Sequence, residues 1–249
     1  MDNMVKSYAI KCLCIVQARL TSSRLPNKVL NILGDDNKTI LEHVYDRLLL
    51  SKKIDKVVFA IPDTNKNDFL SYFLKEKEIP VFRGDENNVL SRYYECAKKY
   101  LPQIIVRATC DNPLVDWKLI DKAVQLLIDE QCDYVNTQGF PLGTGTEVFT
   151  WEALTLAYNN ATEQSWQEHV TPFFYKNPDI INIATINNDA NQTATYRLTI
   201  DTLEDYELMR VIYDELYDKS PISNEAVMDF LNKNSQLLCK NSKIVQRNI

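Results

Sequence analysis

Residues 9–28 read AIKCLCIVQARLTSSRLPNK, and the fold follows from this stretch. The first nine residues are apolar and rich in branched side chains, which predicts a strand buried on both faces. The next eleven form a polar loop broken by Pro26. Beyond it Thr39 precedes Glu42 by three residues, the spacing of a helix capping box. Leu41, Val44, Tyr45, Leu48 and Leu49 give that helix an apolar face.

The same unit recurs downstream. Residues 56–61 predict a strand ended by Pro62, followed by a helix through Phe69, Tyr72 and Phe73. Residues 81–83 and 103–108 predict strands that flank a helix over 89–100. A helix over 117–128 buries Leu119, Ile120, Val124 and Leu127, and a fifth strand spans 133–137. Alternating strands and helices predict an α/β fold, a mostly parallel sheet with helices on both faces. Ligands of such sheets bind beyond the carboxyl ends of the strands, so the loops after the first and fourth strands come first. The second half is less regular. Residues 138–145 hold three of the five glycines and form a tightly turned or flexible loop. Strands are expected at 147–150, 180–186 and 196–200, and helices at 151–160 and 224–231. Thr202 with Asp205 caps another helix, with Leu208, Val211, Ile212 and Leu216 inward.

The 249 residues suffice to bury a sizeable core, and 45% hydrophobic with 25% charged residues is an ordinary globular balance. A net charge of −6 argues against a nucleic-acid-binding surface, yet leaves room for a local basic cluster that holds a small anion. No apolar run approaches the ~20 residues that span a bilayer. Met1-Asp2-Asn3 opens no secretory signal, so a cytoplasmic protein without membrane contact is expected. The six cysteines form no C-x-x-C pair and are expected as free buried thiols, with Cys12 and Cys14 on one strand face.

Two clusters carry the chemistry. The loop after the first strand offers Arg19, Arg24 and Lys28 with hydroxyls at Thr21, Ser22 and Ser23, a set suited to a polyphosphate. Neither a Walker loop nor G-x-G-x-x-G is present, and a solvated basic loop accounts for the same residues. Asp111 and Asp201 each follow a predicted strand. Carboxylates of this kind suit Mg²⁺, which takes one or two of them plus substrate phosphates. Asp111 also fits an Asx-turn before Pro113, and Asp201 a helix cap beside Thr202. His43 falls mid-helix as a structural residue, whereas His169 lies among polar groups. Two histidines and scattered cysteines make no zinc site, and no G-x-S-x-G elbow signals a serine hydrolase.

Six segments in order resemble one family. They are Val16-Gln17-Ala18-Arg19 with Ser23-Arg24-Leu25-Pro26-Asn27-Lys28; Phe82-Arg83-Gly84 with Val89-Leu90-Ser91-Arg92-Tyr93-Tyr94; residues 107–114; Glu147-Val148-Phe149; Glu168-His169-Val170-Thr171-Pro172; and Ile200-Asp201-Thr202 with Glu204-Asp205. Together they resemble the cytidylyltransferases that make CMP-activated sugar acids, which include CMP-Kdo synthetases and acylneuraminate cytidylyltransferases. The nearest branch is the spore-coat-polysaccharide, SpsF-like one. The resemblance implies a nucleotide-diphospho-sugar transferase fold, Rossmann-like and related to the GT-A fold. It implies a single domain over 1–249 with a smaller subdomain at about 138–200 that often builds a homodimer. It further implies that Arg19, Ser22, Ser23, Arg24 and Lys28 hold the CTP phosphates, joined by Arg83 and Arg92. Asp111 and Asp201 would bind Mg²⁺, and Arg107, Glu147 and His169 would face an acidic sugar. A sugar hydroxyl would attack the α-phosphorus and release pyrophosphate. The chain departs from the branch at Asn88, at Gln167 and at Gly143-Thr144-Gly145-Thr146. Two other readings are a related glycosyltransferase, for which no D-x-D triplet is present, and a nucleotide-binding module without turnover.

Overall fold

Strand β1 (Ile10–Gln17) lies inside the sheet because Cys12 to Val16 have no polar face to offer water. Side chains alternate across a strand. Cys12, Cys14 and Val16 therefore enter one apolar core, and Leu13 and Ile15 enter another on the opposite face. β1 pairs in parallel with β2 (Lys56–Pro62) on one side and β4 (Pro102–Thr109) on the other. β3 (Val81–Gly84) extends the sheet in parallel beyond β2. β6 (Glu147–Thr150) runs antiparallel between β4 and β5 (Tyr134–Gln138), and β7 (Ile183–Asn187) closes the edge parallel to β5. The computed structural model describes residues 10–188 and 195–246, in which the seven strands run in the order β3-β2-β1-β4-β6-β5-β7.

Helices cover both faces. α1 (Ile40–Leu48), α2 (Asp68–Glu76) and α4 (Trp117–Asp129) pack on the Cys12 face. α3 (Val89–Tyr100), α5 (Trp151–Asn160) and the short α7 (Pro172–Lys176) pack on the Leu13 face, with α6 (Gln164–His169) against α3. A third core joins α8 (Leu203–Leu216) and α9 (Asn224–Lys233) to Leu198, Ile200 and Leu114. The chain winds outward from β1 through β2 to β3, then returns to place β4 on β1's other flank. The connections leaving β1 and β4 diverge, which opens a crevice at their carboxyl ends.

Both expected capping boxes form, at Thr39/Glu42 and Thr202/Asp205. Asn88 caps α3 by accepting from the Ser91 N–H. His43 is buried, with Nε2 2.9 Å from the Leu33 carbonyl. Several details depart from expectation. Residues 196–200 form no strand; Arg197 makes one bridge to Leu142, and the Ile200 N–H bonds instead to the Asp111 carbonyl. β7 begins at Ile183, and residue 9 of the first predicted strand lies outside the described residues. Leu49, Phe69 and Tyr72 are exposed, since α2 buries Leu70 and Leu74 and α1 ends before Leu49. In α8, Met209 and Tyr213 are buried in place of Val211 and Leu216. Five cysteines are buried, and burial pushes the Cys12 and Cys96 thiols up to about 12; Cys239 is exposed. Among the described residues no helix is long and apolar enough to cross a membrane.

Candidate active site

The loop after β1 is held by a buried anchor. Asn67, fully buried between β2 and α2, accepts the Leu20 N–H at 3.0 Å. The loop closes through Asn27, which adopts a left-handed conformation and donates its N–H to the Leu20 carbonyl. The 3-10 turn Lys28–Leu30 then turns Lys28 inward. Its ammonium donates to Asp111 Oδ2 at 2.8 Å, to Asp201 Oδ1 at 2.9 Å and to the Ile200 carbonyl at 2.6 Å. An ammonium has three N–H donors, so Lys28 has none left for a phosphate in this arrangement. Burial pulls the Lys28 pKa down, but the two carboxylates outweigh it and the net shift is upward.

Asp111 and Asp201, ninety residues apart, thus converge on one cation. Asp111 also accepts from the Thr109 hydroxyl at 2.6 Å. The second oxygen of Asp201 pairs with Arg24 at 2.9 Å and Arg197 at 2.8 Å. Burial pushes the Asp201 carboxyl up, yet Lys28, Arg24 and Arg197 together hold it below its ordinary value.

Arg24, Lys28, Thr109, Asp111 and Asp201 line one cleft of about 170 Å³ with Arg19, Ser22, Ser23, Arg92, Glu168 and His169. The cations in it divide into two kinds. Lys28 and Arg24 are neutralised by Asp111 and Asp201. Arg19 and Arg92 carry no ion pair among the described residues. Arg92 is 3% exposed, its Nη1 donates to the Asp85 carbonyl, and its Nε has no partner among the described residues. Burial lowers its pKa and the field of Arg19 lowers it further. A buried cation repelled by a second cation is relieved by an anion between them. Gly84 leaves room for this arrangement, since a Cβ there would stand 3.1 Å from Arg92 Cγ.

His169 ends α6 on the same cleft, and burial lowers its pKa, which keeps it neutral near pH 7. The next residue, Val170, is buried at φ 70° and ψ −58°. That is a γ-turn, closed by the Thr171 N–H on the His169 carbonyl at 2.8 Å. A β-branched residue rarely adopts it, and such strain concentrates at functional sites.

A second cleft of about 370 Å³ adjoins the first, and Thr109 borders both. Arg107 on β4 faces Glu147 on β6, its register partner, with Nη1 2.5 Å from Oε2. The Tyr134 hydroxyl donates to the other Glu147 oxygen at 2.5 Å. Burial lowers the Arg107 pKa, but Glu147 outweighs it and the net shift is upward. Three buried polar atoms on this wall have no partner among the described residues: Arg107 Nε, Asn136 Oδ1 and Thr146 Oγ1. Gly143 shapes the rim at φ 98°, where a Cβ would lie 2.7 Å from the Leu198 backbone.

A buried basic cleft at the switch point of an α/β sheet, with two carboxylates at its floor, fits a nucleotide-handling enzyme. The cytidylyltransferase family model matches residues 13–242. The chain belongs to the cytidylyltransferase family. It is 38% identical to the uncharacterized protein MJ1063 of Methanocaldococcus jannaschii over 96% of this chain and 97% of that one. It is 34% identical to the spore coat polysaccharide biosynthesis protein SpsF of Bacillus subtilis over 89% and 94%. A solved cytidylyltransferase from Leptospira borgpetersenii superposes with a TM-score of 0.86 at 30% identity, covering 96% of this chain and all of that one. This cytidylyltransferase is therefore a nucleotidyltransferase enzyme.

Within it, the structure groups Arg19, Ser22, Ser23, Arg24, Lys28, Arg92, Asp111, His169 and Asp201 around one cleft, and Arg107 and Glu147 around the other. His169 lies on the first cleft, not beside Glu147. Arg83 lines neither. Its guanidinium pairs with Asp63 at 2.8 Å and Asp68 at 2.7 Å, which ties β3 to the start of α2. Sequence reading passed over Thr109, Tyr134, Asn136, Thr146 and Arg197. Their signal was weak, because threonines and tyrosines in strands read as ordinary strand formers.

Proposed function

We propose that this cytidylyltransferase transfers CMP from CTP to a hydroxyl of an acidic sugar and serves surface polysaccharide or glycan biosynthesis. The observation that carries the reading is the pair Arg19 and Arg92, two cations without carboxylate partners among the described residues, on a cleft whose other cations are neutralised. A triphosphate supplies the missing charge. In the reaction the sugar oxygen attacks the α-phosphorus. The new P–O bond forms as the α–β bridging bond breaks, pyrophosphate leaves, and the hydroxyl proton passes to solvent. The protein contributes alignment and charge stabilisation, with no covalent intermediate.

Asp111 and Asp201 fit a Mg²⁺ ion, since their hard oxygens already converge on one cation, the Lys28 ammonium. Among the described residues no group of three or more metal-ligating side chains exists, so phosphates and water would complete the shell. When bound, the ion would neutralise charge developing on the phosphates. The second cleft suits the acceptor. Each buried polar atom left without a partner costs about 1–3 kcal/mol, which a polyhydroxylated ligand offsets. Arg107 Nε is the donor there for a sugar carboxylate. SpsF, whose name places it in spore coat polysaccharide biosynthesis, supports a role in glycan assembly. A cytoplasmic homodimer built through residues 138–200 belongs to the same proposal and is checked by sedimentation.

The test is thermal stability with CTP, UTP, GTP and ATP, with and without Mg²⁺, followed by pyrophosphate release with Kdo and neuraminic-type acids. A ligand bound only by the folded state raises Tm. A CTP-specific rise with turnover on a sugar acid supports the reading. A rise without turnover on any acid moves the acceptor to a neutral sugar.

A further inference from the structure

Asp205 does more than cap α8. It is 1% exposed, and its Oδ2 accepts from the N–H of Asp201 at 3.0 Å, from the N–H of Thr202 at 3.1 Å and from Arg197 Nη2 at 3.2 Å. Its Oδ1 accepts from Arg197 Nε and Asn241 Nδ2, each at 2.9 Å. The capping box explains only the Thr202 contact. Arg197, 8% exposed, reaches on from Asp205 to Asp201 Oδ2 at 2.8 Å. One buried carboxylate therefore fixes Asp201 twice, at its main chain directly and at its side chain through Arg197. Arg24 takes the same Oδ2 from the cleft side. With Oδ2 held, Oδ1 is the oxygen turned to Lys28, beside Asp111.

We propose that Arg197, seated on Asp205, is a positioning residue that sets the rotation of the Asp201 carboxylate and so the affinity of the site for a divalent cation bound with the nucleotide. This rests on the reading of Asp201 as a metal-facing carboxylate. A carboxylate already oriented loses less freedom on binding its ligand. Partners of this kind typically change metal affinity by about 10–100-fold. The planar fork of arginine spans two carboxylates at fixed angles, which a lysine ammonium does not reproduce.

The experiment titrates Mn²⁺ onto CTP-bound enzyme and reads free Mn²⁺ by electron paramagnetic resonance, for wild type, Arg197→Gln, Arg197→Lys and Asp201→Asn. Tm and turnover against Mg²⁺ concentration are recorded for each. Arg197→Gln is expected to weaken Mn²⁺ binding about tenfold or more and to leave metal-free CTP affinity unchanged. It should raise the Mg²⁺ needed for half-maximal turnover, with excess Mg²⁺ restoring most of kcat. Arg197→Lys should fall between the two. A lowered Tm with unchanged Mn²⁺ affinity would reduce Arg197 to a structural role and overturn the proposal. Should Arg197→Gln fail to fold, wild-type Mn²⁺ affinity in Arg197→Lys overturns it equally. Wild-type Mn²⁺ affinity in Asp201→Asn would show instead that the metal reading beneath it is wrong, and both would fall.

Discussion

The two clefts stand on the same strand, β4, and handle charge in opposite ways. Among the described residues the first keeps Arg19 and Arg92 without counter-ions while Lys28 and Arg24 are satisfied. Among the described residues the second neutralises its charged pair internally, Arg107 on Glu147, and leaves Arg107 Nε, Asn136 Oδ1 and Thr146 Oγ1 unpartnered. An excess of positive charge suits a phosphate chain. Unsatisfied donors and acceptors around a neutral ion pair suit hydroxyls, with the Arg107 Nε–H for an acid group. On the proposed reading the first cleft takes the nucleotide and the second the acceptor, and substitution can break that division.

The largest effect should come where the clefts meet. Asp111→Asn keeps the shape but removes a charge, and is expected to cut kcat on the order of a hundredfold or more with Tm little changed. Steady-state pyrophosphate release beside a melting curve checks this; normal turnover would remove Asp111 from the reacting centre. Next, Arg92→Ala should weaken CTP binding about 10–100-fold, as loss of a charge-assisted bond worth ~1.5–3 kcal/mol implies, with acceptor KM unmoved. Calorimetric titration with CTP decides it, and an equal loss for the acceptor would merge the two clefts. Glu147→Gln should act the other way round, raising acceptor KM about tenfold and sparing CTP affinity, because it frees Arg107 and unseats Tyr134. A CTP defect in that variant would break the division from the second side.

The smallest effect concerns pH. Burial lowers the pKa of His169 in the folded chain below its ordinary 6.5. The unfolded chain then binds more protons, so stability rises with pH in this window. The contribution is fully present above 6.5 and is lost as pH falls through the folded value. His169→Gln should therefore flatten the decline of Tm between pH 7 and pH 5 by about 2 °C or less. An unchanged slope would assign the decline to His43, which burial shifts in the same direction.

Much of this was legible in sequence. The β1 loop, Asp111 and Asp201 stood out because strand ends and polar breaks are local signals. Arg83 and His169 show the limit. Arg83 sits in a stretch resembling the family, yet its side chain turns toward Asp63 and Asp68, and only packing fixes that choice. His169 follows from the strained turn at Val170, which no local propensity favours. Arg197 was hidden in residues 196–200, a segment with strand-like alternation whose partners are loops at Leu142 and Asp111.

What the sequence determined by itself was the set of elements and the ends at which chemistry gathers, since periodicity and caps depend on neighbours within a few residues. Which cations lack a carboxylate partner among the described residues was decided by tertiary structure alone. Lys28 and Arg19 sit nine residues apart in one basic loop. One lies under carboxylates contributed from residues 111 and 201 and the other does not, and a counter-ion that distant in the chain leaves no mark on the local pattern.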